Sequence, residues 1–218
     1  MHSSIASLAQ RGAEIDRRLT IAYPDARCAL DHEGPFQLLV ATVLSAQTTD
    51  ERVNTVTPEL FRRWPDPASL AGADEADVRD VVRVLGFQDR RSRQLVGLAD
   101  ALVHDHHGEV PDDRAALEAL PGVGRKTAHV VLGNAFGIPA ITVDTHVGRL
   151  ARRLALTEKT QPLAVERDLA VALPEEDWTF ACHRLITHGR EVCTSRAPAC
   201  GACVLADICP KVGVDAVA

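Results

Sequence analysis

No stretch of this 218-residue sequence approaches the roughly eighteen consecutive apolar residues that a membrane-spanning helix needs. The N-terminus, MHSSIASLAQRGAEID, lacks both a basic n-region and an apolar h-region, so no signal peptide is predicted. Together these absences predict a cytoplasmic protein, and structural disulfides are disfavoured there. The six cysteines therefore need another use. Strand signals are missing too: the one β-branched patch, AITV at 140–143, is too short and isolated for a sheet. There is no internal repeat and no low-complexity tract. Lysine is scarce, with three among 24 basic residues, at Lys126, Lys159 and Lys211. The other bases are arginine, whose planar fork suits contacts to phosphate. A net charge of −6 argues weakly against indiscriminate nucleic-acid binding, but a specific interface needs only a local basic face.

What is present is helical periodicity. The composition, 46% hydrophobic and 25% charged, is that of a soluble globular protein long enough for one large or two small domains. In IASLAQRGAEIDRRL, Ile5, Leu8, Ile15 and Leu19 share one face. FQLLVATVLSAQ is apolar almost all round, which predicts a buried helix. DEADVRDVVRVLG begins at Asp74 as N-cap and stops at Gly86. RSRQLVGLADALVHDHHG aligns Leu95, Leu98, Leu102 and Val103 in a stripe, and RKTAHVVLGNAFG closes at Gly137 with Pro139 beyond it. DTHVGRLARRLAL and PLAVERDLAVAL are amphipathic, and EEDWTFACHRLITHG is predicted to end at Gly189. The fold class is all-α, with about ten or more short helices.

Four cysteines crowd the C-terminus as Cys193-x6-Cys200-x2-Cys203-x5-Cys209. Four thiolates in so short a loop can converge on one centre. Zinc ribbons normally show two close cysteine pairs, and this chain has one. A [4Fe–4S] cube takes four thiolates at uneven spacing, and Pro210 follows the last cysteine in the manner of such loops. Spacing favours the cube and leaves zinc open. Cys28 and Cys182 stand apart and are expected to be buried apolar residues.

ALEALPGVGRKTAHVVLG reads as helix, tight turn, helix. Gly122 and Gly124 allow unusual backbone angles and close approach of a ligand. The next helix starts near Arg125, and its first N–H groups and positive dipole end suit a phosphate without regard to base sequence. A plain helix–helix connection fits the same pattern. A nucleotide P-loop does not, because Arg125 intervenes between glycine and lysine and a helix, not a strand, precedes. Lys126 falls in the first helical turn, where the dipole disfavours a cation. That field, with partial burial, would favour the neutral amine a nucleophilic lysine requires; a surface lysine touching phosphate is the other reading. In TVDTHVGRLARR, Asp144 reads locally as an N-cap. A carboxylate there could also steady positive charge developing at a sugar C1′, or help move protons. Beside Lys126 it would oppose the dipole by favouring the ammonium.

LPGVGRKTA at 120–128, VDTH at 143–146 and the cysteine tail, in this order, resemble the endonuclease III family of DNA base-excision-repair glycosylases, within the helix-hairpin-helix glycosylase superfamily. LLVATVLSAQTTD at 38–50 resembles a further segment of it. The resemblance implies a two-domain all-α fold: a six-helix domain with the helix-hairpin-helix at 27–138, and an iron–sulfur helical domain from 1–26 and 139–218, with a DNA cleft between. By the family's pattern Lys126 is the nucleophile that attacks C1′, and its Schiff base cuts the strand 3′ to the abasic site by β-elimination. Asp144 is the assisting carboxylate, and Gln47 fills the gap left by the flipped nucleotide. Leu120, Gly122, Val123, Gly124 and Arg125 of the hairpin, with His146 and Arg196, would meet DNA. Cys193, Cys200, Cys203 and Cys209 would hold one [4Fe–4S] cluster per chain.

The implied substrates are oxidised or ring-saturated pyrimidines and abasic sites in double-stranded DNA, handled by a monomer that joins the nucleoid when on DNA. A mismatch adenine glycosylase fits less well, since such relatives lack a lysine at the position of Lys126. A non-catalytic helix-hairpin-helix DNA-binding paralogue is the remaining alternative. The sequence departs from the family where Ala197 and Ala199 leave Arg196 as the one base between the first two cluster cysteines. It departs again at Gly148, where an aromatic is frequent, and at Arg91–Ser92, where Lys–Ala is typical.

Overall fold

A computed structural model describes residues 2–214, with side chains from residue 7 onward, so the expected placement of Ile5 lies outside the described side chains. Among the described residues there are twelve α-helices, three 3-10 turns and no strand. In chain order they are α1 (His2–Ala22), α2 (Gly34–Leu44), α3 (Asp50–Asn54), α4 (Thr57–Arg63), α5 (Pro67–Ala71) and α6 (Glu75–Val82). Then follow α7 (Gln88–His106), α8 (Arg114–Ala119), α9 (Arg125–Ala135), α10 (Thr145–Arg153), α11 (Pro162–Ala172) and α12 (Trp178–Glu191). No helix among them is long and apolar enough to cross a membrane. The chain divides into two compact units: Cys28–Ile138, and Met1–Arg27 joined to Pro139–Ala218.

In the Cys28–Ile138 unit, α2 is buried along its whole second half, Leu38 to Leu44, as its all-round apolar sequence predicts. It packs on α9 and α7, and α7 packs on α5 and α6. Leu95, Leu98 and Leu102 of α7 are fully buried, and Val103 is half-buried at the edge of the stripe. Helices this short are marginal alone and depend on tertiary packing and caps. Asp66 and Ser69 form a capping box, Asp74 accepts from the Ala76 N–H at 2.8 Å, and Asp113 from the Ala116 N–H at 2.9 Å. A 3-10 turn, Arg83–Leu85, follows α6 and ends at Gly86 with φ 74°.

In the other unit α1 packs against α11 and α12, and α10 against α12. Their shared core includes Ile15, Leu19, Val147, Leu150, Leu169 and Leu185. Beside it Arg184 donates to the nearly buried Asp16 at 2.8 Å. Desolvation raises the Asp16 pKa and outweighs the pull of Arg184. Cys182 is buried; burial pushes its thiol up to about 12, and its Sγ accepts from the Thr142 N–H at 3.3 Å. Cys28, in contrast to expectation, is only half-buried.

One helix boundary corrects the sequence reading. α12 does not end at Gly189 but continues to Glu191. A Cβ on Gly189 would stand 3.1 Å from both Arg149 Nη2 and His146 Nδ1. The glycine is there for the close approach of α10, not to stop a helix.

Candidate functional site

The hairpin lies in the Cys28–Ile138 unit. α8 ends at Ala119, and the chain reverses through Gly122 at φ +79°, a left-handed conformation that glycine adopts without strain. A Cβ there would also press on Gln94 Nε2 at 3.2 Å and Val43 Cγ1 at 3.3 Å, so the turn rests directly on α7 and α2. Gly124 differs from expectation: its backbone is ordinary extended chain (φ −104°, ψ 175°), with open space where a side chain would be. It is the N-cap of α9 and brings no capping side chain, which leaves that end of the helix dressed only by backbone. Leu120 and Val123 are 4% and 7% exposed, so their side chains pin the hairpin to the core. The Val123 N–H is engaged by the Leu120 carbonyl at 3.1 Å, so contact with a ligand there falls to other groups. Arg125 is half-buried, with Nη1 4.0 Å from Glu118 Oε1.

Lys126 is exposed on the first turn of α9. The expected partial burial is absent, because the residue lies on the outer face of a helix whose core contacts are Ala128, Val131 and Leu132. Gln47 is also exposed, in the loop after α2, with φ 64°.

Asp144, His146, Arg196 and the cysteines belong to the second unit. Asp144 is half-buried in extended backbone, and its Oδ1 accepts from the Val147 N–H at 2.8 Å, the N-cap that the sequence predicts for α10. His146 is half-buried with Nδ1 3.3 Å from Arg149 Nη2. Gly148 is buried, yet a Cβ on it would meet its nearest neighbours at 3.5 Å and 3.9 Å, ordinary contact distances. Arg196 is exposed.

The four C-terminal cysteines are half-buried and line one cavity, together with Leu150, Leu154 and Leu205. Among the described residues no three His, Cys, Asp or Glu side chains converge on a single-ion position. Four thiols around one cavity are the donor set that a zinc ion or a four-iron cube takes. Main-chain N–H groups point at the sulfurs: Leu205 donates to Cys203 Sγ and Lys211 to Cys209 Sγ, each at 3.4 Å. Burial and the neighbouring thiols raise the Cys203 and Cys209 pKa values, a cost that a bound cation reverses.

Three residues around this loop had no signal in the sequence. Arg153, 7% exposed, donates from Nη1 to the Thr194 carbonyl at 2.7 Å and to Cys193 Sγ at 3.3 Å, and from Nη2 to the Ser195 carbonyl at 2.9 Å. Arg149 Nη2 reaches the carbonyls of Gly189 at 2.8 Å and Cys193 at 3.0 Å. His188, 2% exposed, bridges Tyr23 Oη at 2.9 Å and Cys203 Sγ at 3.4 Å. Apart from Cys203, fifteen residues from His188, their partners are 40 or more residues away in sequence or are main-chain atoms, and local pattern carries neither.

Residues 40–175 match the HhH-GPD superfamily of base excision DNA repair proteins, and residues 193–209 match the iron-sulfur binding domain of endonuclease III. The chain is 50% identical over 209 residues to endonuclease III of Synechocystis sp., covering 95% of each. It is 41% identical over 196 residues to endonuclease III of Escherichia coli (strain K12), covering 90% of this chain and 93% of that one. This chain belongs to the endonuclease III family. Its structure superposes on that of a non-covalent endonuclease III–DNA complex with a TM-score of 0.86 at 40% identity, over 91% of this chain and 93% of that one. A trapped endonuclease III–DNA covalent intermediate gives 0.85 at 41% identity, over 90% and 92%. A thermostable thymine-DNA glycosylase at 21% identity shares the fold, with a TM-score of 0.83 over 93% and 96%.

As a member of the endonuclease III family the chain is a base-excision-repair DNA glycosylase, and its cofactor is a [4Fe–4S] cluster. The cavity ringed by four thiols, with N–H groups aimed at two of the sulfurs, fits that group.

Proposed function

We propose that this chain is a bifunctional enzyme that removes oxidised or ring-saturated pyrimidines from double-stranded DNA and then cuts the strand at the abasic site. The observation that carries the reading is the place of Lys126: exposed, on the first turn of α9, two residues after the extended Gly124 that opens the hairpin to a phosphate. A phosphate held at that helix end sets the neighbouring deoxyribose beside the amine. Since the unit itself leaves Lys126 wet, docked DNA supplies the exclusion of water that favours the neutral amine.

The Nζ lone pair attacks C1′ and the C1′–N bond to the damaged base breaks, with a proton delivered to the departing base. Opening of the sugar gives a Schiff base between Nζ and C1′. Loss of a C2′ proton then expels the 3′ phosphate by breaking the C3′–O bond, and water returns the amine. Asp144 carries the charge and proton work at the sugar. Its Oδ1 holds the α10 cap, which fixes the carboxylate and leaves Oδ2 for substrate. Gln47 fills the gap left by the flipped nucleotide. Cys193, Cys200, Cys203 and Cys209 hold the cluster, which when bound cross-links the loop that carries Arg196 toward a phosphate. The protein acts as a monomer.

Borohydride reduction with abasic-site DNA tests the reading. Wild-type protein gives a covalent adduct and Lys126→Ala gives none. A wild type that forms no adduct, or an alanine variant that still does, would overturn the lyase assignment.

A further inference from the structure

Among the described residues Arg91 is the largest fully buried side chain, 1% exposed, and no carboxylate pairs with it. Its guanidinium instead donates to four main-chain carbonyls on two separate loops. Nη2 reaches Leu44 at 3.1 Å and Ala46 at 2.6 Å, at the end of α2. Nη1 reaches Leu85 at 2.5 Å and also Gly86, in the turn before α7. The two loops share one peculiarity. Ala46 immediately precedes Gln47 at φ 64°, and Gly86 immediately precedes Phe87 at φ 50°. Both left-handed residues are exposed, Phe87 by 59%.

A left-handed glutamine or phenylalanine is strained and persists where the surroundings over-determine it. The Gln47 loop holds itself only in part, through the Thr48 N–H on the Ser45 carbonyl at 3.2 Å. Its next residue, Thr48, buries Oγ1 without a hydrogen-bond partner. Burying the guanidinium is costly too: desolvation lowers its pKa, and Arg90 and Arg52 lower it further. A buried cation with no counter-charge, held by four carbonyls, is a fixed object with two strained, exposed residues next to its acceptors.

We infer that Arg91 is a positioning residue for Gln47: it clamps the α2 loop to the Gly86 turn and so presets the direction in which Gln47 projects into DNA. This rests on the proposed gap-filling role of Gln47. Lysine has three donors on a rotating ammonium and cannot reproduce the fork across two loops, so arginine at this position is a change in rigidity as well as in size.

The test measures binding to an undamaged duplex and to the same duplex carrying a tetrahydrofuran abasic analogue, a readout that does not involve Lys126 chemistry. Wild type prefers the analogue. Arg91→Met and Gln47→Ala each lower that preference by about tenfold, as misplacement of a positioning group does. The double variant loses no more than either single variant, because both remove one function. Arg91→Lys, a milder change that keeps the charge, falls between wild type and Arg91→Met and is likewise non-additive with Gln47→Ala. Additive losses, or full preference in an Arg91 variant, overturn this inference alone. Full preference in Gln47→Ala overturns the gap-filling role and the inference with it.

Discussion

Arg149 and Gly189 meet where α12 has no side chain: Nη2 donates to the Gly189 carbonyl at 2.8 Å and lies 3.1 Å from where a Cβ would stand. The same nitrogen holds the Cys193 carbonyl at 3.0 Å, so one atom ties α10 to α12 and to the start of the cysteine loop.

Gly189→Ala is therefore destabilising, although alanine is favoured over glycine inside a helix by about 1 kcal/mol. The added methyl displaces Arg149 and His146, and overpacking of this kind costs about 1–3 kcal/mol. Urea denaturation gives the answer, and a variant as stable as wild type or more so contradicts this account.

Asp144 has two tasks that substitution can separate. Asparagine also caps helices, so Asp144→Asn keeps stability within a few tenths of a kcal/mol, while Asp144→Ala loses about 1 kcal/mol. Removal of base from damaged duplex DNA falls in both by about a hundredfold, as for a lost electrostatic group at a reacting centre. Activity retained by the asparagine variant would reduce Asp144 to a cap.

Arg153→Leu removes the donor shared by Thr194, Ser195 and Cys193 Sγ. Water makes up part of that loss, because Thr194 is half-buried and Ser195 exposed, but the loop is no longer tied to α10. Purified variant should hold less iron per chain than wild type and lose its visible absorbance faster in a chelator. Equal iron and equal loss rates would assign Arg153 no role in the loop.

His183 contributes to acid stability in the second unit. Burial first, and Arg184 second, lower its pKa from 6.5 to about 4. A histidine held neutral in the fold and protonated in the unfolded chain contributes stability above pH 6.5, and that contribution is lost as pH falls from 6.5 through about 4. His183→Gln should flatten this part of the stability curve by about 1–3 kcal/mol. An unchanged slope between those pH values counts against it.

How much the sequence carried depends on the range of each signal. The Asp144 cap is a contact to the third residue on, and VDTH followed by an amphipathic run shows it plainly. The all-round apolar run of α2 shows a buried helix for the same local reason. Gly189 misled because a glycine at a helix end and a glycine under a neighbouring arginine look alike along one chain. The Arg91 clamp was invisible for a further reason. Its acceptors at the end of α2 and just beyond it lie 47 and 45 residues away, and they are carbonyls that every residue possesses. The hairpin glycines were half legible: Gly122 needs its left-handed backbone, whereas Gly124 marks only open space.

The unit that packs α1 against α11 and α12 draws on both ends of the chain. During synthesis the Cys28–Ile138 stretch leaves the ribosome whole and can fold at once, since domains fold as they emerge. α1 is made before the helices that cover it. It must wait, with its apolar stripe at Ile15 and Leu19 uncovered, until α11 and α12 have been translated. The order of translation thus leaves α1 uncovered until late, and it completes the four-cysteine loop only after α12 has been made.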